Sequence, residues 1–166
     1  MGKLKLINKY TFLIISAGIN KRFKMRGFDK PKSLLEIKGE SLIEVLLKNL
    51  KKSGVKKIHI IVGFKYKIIK NHISKLKKIP KIKYIKINNF KKYGSGYSIY
   101  KFQKEWEKNK KPLVMMHSDL YCDWSYFKDI LNNKFDNVIG TTNFNSKNFK
   151  KSFLVVSASK KKNNKN

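Results

Sequence analysis

Thr11 to Ser16, TFLIIS, runs straight into Ala17-Gly18-Ile19-Asn20-Lys21-Arg22. A short apolar run with little alternation suits a strand buried on both faces. A turn of small residues at the end of such a strand lets backbone N–H groups approach phosphate oxygens closely. Gly18 has no Cβ where a ligand would sit. Asn20 is the non-glycine residue that best tolerates left-handed backbone. Arg22 offers a planar fork for phosphate oxygens. Read alone, the same letters also fit an ordinary strand-exit loop with a surface arginine.

Outward from this strand, helical and strand periodicities alternate. Ser41 to Ser53 predicts a helix: Leu42, Ile43, Leu46, Leu47 and Leu50 recur at helical spacing, Ser41 and Glu44 form a capping box, and Gly54 is a stop. Lys57 to Val62 (KIHIIV) predicts a strand, Tyr66 to Leu76 a helix, and Ile82 to Ile87 a third strand. A helix over Tyr97–Trp106 and a strand over Pro112–His117 (PLVMMH) follow. Further on, Trp124–Leu131 reads as a helix or helical turn, and Val138–Thr142 and Phe153–Ser157 as strands. The alternation implies right-handed βαβ units, hence an α/β Rossmann-like three-layer sandwich with a mostly parallel central sheet. Such sheets bind ligands at the C-terminal ends of their strands. Residues 1–158 read as one domain and 159–166 as a disordered basic tail. No further element follows the last apolar run, so the chain reads as cut short.

Three more segments carry chemistry. Pro31 stiffens the loop that presents Lys32, a point charge for a phosphate, in PKSLLEIKGE. In a chain this rich in lysine, position rather than residue type carries that reading. Tyr93-Gly94-Ser95-Gly96-Tyr97-Ser98 lies between a strand and a helix. Gly94 and Gly96 permit close approach and Ser98 either caps the helix or bonds a ligand; a plain Gly-Ser connector is the alternative. His117-Ser118-Asp119 leaves the apolar PLVMMH strand, and a carboxylate there is where Mg²⁺ bridging phosphates would be held. Asp123 could assist, though a cap of the helix that follows is the better reading. His59, His72 and His117 share no metal-site spacing with Cys122 and read as structural.

Composition bounds the partners. The 166 residues suffice for one domain with a real core, and the formal charge is +30. That charge invites a nucleic-acid reading. It is almost all lysine, however, spread along the chain among asparagine and isoleucine, with arginine only at Arg22 and Arg26. This pattern fits an AT-rich coding sequence better than a nucleic-acid reader, which concentrates its charge and uses arginine forks. No apolar run is long enough to span a membrane. A single cysteine gives no internal disulfide, and the expected location is the cytoplasm.

Taken in register, SAGINKR, PKSLLEIKGESLIE and GVKKIHIIVGF resemble the nucleotidyltransferase superfamily, with its sugar-phosphate nucleotidyltransferases and phosphocholine cytidylyltransferases. The family opening is roughly L-A-A-G-x-G-x-R, then P-K-x-L, then a glycine before an L-I-E helix. Two positions depart from it: Ser16 stands where the family usually has alanine, and Asn20 where it usually has glycine. The resemblance implies transfer of a nucleotidyl group from an NTP to a sugar phosphate or phosphocholine with release of pyrophosphate. It implies Arg22, Lys32 and Asp119 as catalytic, Asp119 as the Mg²⁺ ligand, and Ala17, Gly18, Ile19, Asn20, Gly96 and Ser98 around the nucleotide. The implied partners are an NTP and a small phosphorylated acceptor, with no specific nucleic acid and no membrane. A guanylyltransferase acting on a molybdenum cofactor and a basic nucleic-acid module are the alternatives. Family members normally continue into much of the acceptor pocket and a second metal-binding aspartate, and neither is found after Phe153.

Overall fold

The computed structural model describes residues 7, 9–20, 25, 27, 29–90, 92 and 94–121. The chain divides into two compact units, Met1–Tyr121 and Cys122–Asn166, and the described residues belong to the first. The elements expected at Trp124–Leu131, Val138–Thr142 and Phe153–Ser157, and the tail from 159, lie outside the described residues.

The strands are β1 (Thr11–Ser16), β2 (Glu36–Ile37), β3 (Glu40–Ser41), β4 (Lys57–Val62), β5 (Lys81–Lys86) and β6 (Leu113–His117). The helices are α1 (Leu42–Lys52), α2 (Tyr66–Ser74) and α3 (Ser95–Trp106). A 3-10 turn spans Lys32–Leu34. Among the described residues the main sheet has four strands in the order β5-β4-β1-β6, all parallel. Its centre is β1, where Phe12, Leu13, Ile14 and Ile15 are buried on both faces. The unbroken TFLIIS run is therefore a central strand, as its lack of alternation predicts.

Helices cover both faces. Register places Leu13 beside His59 and Ile15 beside Ile61, and this face packs with Phe102, Tyr97, Ile99 and Trp106 of α3. Tyr84, on the opposite face, meets Tyr66 of α2 edge-on at 6.1 Å between centroids. Ser41, the residue before α1, bonds His72 of α2, which holds α1 and α2 side by side. The result is the expected three-layer α/β sandwich.

Sequence order explains where a ligand would go. The chain steps from β1 to β4 to β5 in one direction, then crosses back through α3 to β6 on the other side of β1. The order therefore reverses between β1 and β6, and that switch point opens a crevice at the C-terminal ends of these two strands.

Local chemistry sets the boundaries. Ser41 accepts from the Glu44 N–H at 3.2 Å, so half of the expected capping box forms. The Glu44 carboxylate turns to Lys48 at 2.7 Å instead. Beyond α1 the Val55 N–H reaches back to the Leu50 carbonyl around Gly54, whose φ is 91°. The β2–β3 hairpin, absent from the sequence reading, turns on Lys38 and Gly39, both with positive φ, the backbone a two-residue hairpin requires. The second helix stops at Ser74, short of the expected Leu76.

Candidate nucleotide site

A cavity of about 570 Å³ opens at the switch point. Among the described residues, four segments line it. The exit of β1 contributes Ser16, Ala17, Gly18, Ile19 and Asn20, and the 3-10 turn contributes Pro31, Lys32 and Ser33. The exit of β6 adds His117, Ser118 and Asp119, while Phe90, Lys92, Gly94, Ser95 and Ser98 come from the chain between β5 and α3 and from the start of α3. The β6 exit is fastened to the β1 exit by the Ser118 N–H donating to the Ile15 carbonyl at 3.1 Å.

Lys32 and Asp119 meet there. The lysine Nζ is 3.8 Å from Asp119 Oδ2, an ion pair beyond direct hydrogen-bonding distance, with both side chains partly exposed. The 3-10 turn that presents Lys32 starts at Pro31 and closes through Leu34 N–H to Pro31 O and Leu35 N–H to Lys32 O, both 2.9 Å.

Gly18 has ordinary backbone, and a Cβ built on it would meet no heavy atom within 4 Å among the described residues beyond its chain neighbours. The fold itself therefore does not demand glycine there. Asn20 is left-handed at φ 56°, as its residue type predicts, and its side-chain amide donates to the Lys30 carbonyl at 2.7 Å.

The placements differ among the sequence candidates. Ala17, Gly18, Ile19, Asn20, Lys32, Ser98 and Asp119 all line the one cavity. Gly96 does not. It sits in the first turn of α3, where Ser95 and Ser98, three apart, share the helix face toward the cavity and Gly96 points off it. Arg22, Tyr93, Cys122 and Asp123 lie outside the described residues.

The sequence reading missed part of the wall. Phe90 lies against Gly63: a Cβ there would stand 2.8 Å from the Phe90 ring, so glycine just after β4 lets that ring pack on the backbone. Lys92 carried no distinguishing signal among so many lysines. His117, read as structural, is an exposed lining residue of the cavity. His72 is structural as expected, its Nε2 2.8 Å from Ser41 Oγ. His59 is structural too, buried against Phe102 at 5.2 Å between centroids and 3.7 Å from Glu105 Oε1.

Among the described residues, the Glu105 carboxylate, which does not line the cavity, is strongly perturbed. Lys83 and Lys108 hydrogen-bond the Glu105 carboxylate and hold its pKa down to about 2. Burial lowers the pKa of His59 despite the nearby Glu105 charge. Among the described residues no helix is long and apolar enough to cross a membrane.

Comparison with known proteins places this architecture. Residues 33–163 match the family model described as Domain of unknown function (DUF6564). Over 93 residues the chain is 28% identical to choline-phosphate cytidylyltransferase of Streptococcus pneumoniae (strain ATCC BAA-255 / R6), covering 56% of this chain and 39% of that protein. The solved CTP:phosphocholine cytidylyltransferase from Streptococcus pneumoniae (LicC) matches with a TM-score of 0.55 and 24% identity, over 66% of this chain and 45% of that one. HddC from Yersinia pseudotuberculosis complexed with GMP-PN matches at a TM-score of 0.61 and 25% identity, over 73% of this chain and 52% of that one. The chain thus spans about two fifths to one half of the length of these relatives. Sheet, crossover and helices on both faces are those of the Rossmann-like nucleotidyltransferases. The chain belongs to the family described as Domain of unknown function (DUF6564), and its fold is that of the nucleotidyltransferase superfamily.

Proposed function

We propose that this chain binds an NTP at the β1–β6 crevice and serves, in the cytoplasm, a nucleotidyl transfer to a sugar phosphate or phosphocholine, with release of pyrophosphate. The observation that carries this reading is the meeting of the β1 exit loop, Lys32 and Asp119 around one cavity at the switch point. The streptococcal relative is a choline-phosphate cytidylyltransferase, which makes CTP and phosphocholine the first pair to try.

In such a reaction an acceptor phosphate oxygen attacks the α-phosphorus, a new P–O bond forms, and the bond to the pyrophosphate oxygen breaks with its electron pair. The protein's work is positioning and neutralisation of charge. The backbone N–H groups of Gly18 to Asn20 would face the β- and γ-phosphates, joined by Arg22. Lys32 would neutralise charge beside the α-phosphate, and Ser98 would border the base and ribose.

Among the described residues no group of three or more His, Cys, Asp or Glu could form a metal cage. Mg²⁺ does not require one, because it commonly takes one or two carboxylates and completes its shell with water and substrate phosphates. Asp119, partly exposed at the cavity, fits that role. Bound there, the ion would polarise phosphoryl oxygens and offset their charge.

A thermal-shift panel of the four NTPs with and without Mg²⁺ tests the reading, because a ligand that binds the native state raises Tm. A Mg²⁺-dependent rise with one or more NTPs, followed by pyrophosphate release with an acceptor, is the expected result. No shift with any NTP, confirmed by calorimetry, would end it.

A further inference from the structure

The two positions at which the opening motif departs from the family pattern are both tied to the lysine loop. Asn20, standing for the usual glycine, donates its amide to the carbonyl of Lys30 at 2.7 Å. Ser16, standing for the usual alanine, donates its hydroxyl to Ser33 Oγ at a looser 3.4 Å. Both of those serines are buried, Ser33 at 1% exposure. Lys30 precedes Pro31 and Ser33 follows Lys32, so the two bonds grip the segment on either side of Pro31-Lys32. The Asn20 bond also joins the residues at which the chain leaves β1 and returns to the turn.

We propose that Asn20 and Ser16 are positioning residues that clamp the Pro31–Lys32 segment from both sides and fix the Lys32 ammonium at the cavity beside Asp119. The inference rests on the reading of the cavity as a polyphosphate site. A lysine on a four-carbon stem loses rotamer freedom when it meets an anion, and a fixed backbone reduces what remains to be ordered. Glycine at position 20 would adopt the same positive φ without strain but would leave the loop untied. Alanine at position 16 would fill the same place in β1 but leave Ser33 without that bond. The departures are thus additions of hydrogen bonds.

The test uses inorganic pyrophosphate with Mg²⁺ as a base-independent probe, in calorimetry on the full chain. Asn20→Gly keeps the backbone conformation and removes the donor. Ser16→Ala removes the second tie. Each is made alone and with Lys32→Ala, and thermal melts identify any variant that fails to fold.

If the clamp acts through Lys32, each variant weakens pyrophosphate binding roughly 3- to 10-fold, and the loss vanishes when Lys32 is already alanine. Equal losses with and without Lys32 would overturn the proposal. Hydrogen exchange at the Leu34 and Leu35 amides, which close the 3-10 turn, reads the clamp without any ligand. Faster exchange in the Asn20 and Ser16 variants is expected, and unchanged protection would overturn the proposal on its own. Faster exchange in a chain whose wild type binds neither pyrophosphate nor NTP would uphold the clamp and sink the nucleotide reading instead.

Discussion

Lys32 Nζ and Asp119 Oδ2 lie 3.8 Å apart, the first carried by a 3-10 turn after β1 and the second by the exit of β6. Side-chain exposures of 34% and 40% make this a solvent-screened pair, worth at most about 1 kcal/mol to folding. Its residues should therefore matter far more to ligand than to stability. Lys32→Ala and Asp119→Asn are expected to shift the urea midpoint little while lowering Mg²⁺-dependent transfer about 100-fold or more. Equilibrium unfolding beside pyrophosphate-release assays checks this. A large loss of stability with unchanged activity would mark the pair as structural.

Two glycines near the crevice should separate in the same way. Gly18 has ordinary backbone and its Cβ would meet nothing within 4 Å among the described residues beyond its chain neighbours, whereas a Cβ on Gly63 would stand 2.8 Å from Phe90. Gly18→Ala is expected to fold with nearly wild-type stability and to lose NTP affinity, because the added methyl occupies ligand space. Gly63→Ala must push the Phe90 ring aside and should cost roughly 1–3 kcal/mol. Calorimetric titration and urea unfolding of both variants distinguish the two effects.

The same contrast shows what the sequence could reveal. β1, β4 and α1 were legible because burial on both faces or on one helical stripe writes itself into consecutive or periodic apolar positions, and β6 because its residues are apolar throughout LVMM even though Met115 is exposed. Lys32 and Asp119 were legible from their places at element ends. The β2–β3 hairpin was not, because two-residue strands such as Glu36–Ile37 carry no period and their turn uses lysine at a positive φ. Phe90 and His117 were missed because side-chain direction at a loop or a strand end is set by tertiary packing. Gly96 was placed by motif spelling alone, and helix phase turned Ser95 and Ser98 inward in its stead.

Ser41 links α1 to α2 through one hydroxyl. Its Oγ accepts from the Glu44 N–H at 3.2 Å and lies 2.8 Å from His72 Nε2, with the serine itself buried. Ser41→Ala removes the cap and leaves the His72 ring nitrogen without that partner. The expected loss is about 1–2 kcal/mol, with Ser41→Thr retaining much of it. The drop in urea midpoint, at unchanged m-value, is the measurement.

Acid should destabilise the protein in two separate ranges. Burial against Phe102 lowers the pKa of His59, and the cations Lys57 and Lys83 act in the same sense, while Glu105 opposes them. As pH falls, the unfolded chain therefore takes up this proton before the folded one does. The contribution is fully present above the ordinary imidazole range and is lost as pH drops through it, levelling off below the lowered folded value. Glu105 acts lower down. Lys83, then Lys108, hold its pKa at about 2, so its contribution is present above the ordinary carboxylate range and is lost as pH falls toward that value. No hydrogen bond of ordinary geometry reaches either ring nitrogen of His59 among the described residues, and Glu105 and the Phe12 backbone offset its burial only in part. His59→Leu should therefore be neutral or stabilising at pH 7, since it replaces a buried, poorly bonded polar ring by an apolar group. It should also flatten the stability profile in the imidazole range, while the carboxylate range changes less, because Lys83 and Lys108 still hold Glu105 after the 3.7 Å contact with His59 is lost. Unfolding free energies of wild type and His59→Leu, measured across both ranges, give the comparison. A variant that keeps the full imidazole-range slope would show that another group titrates there.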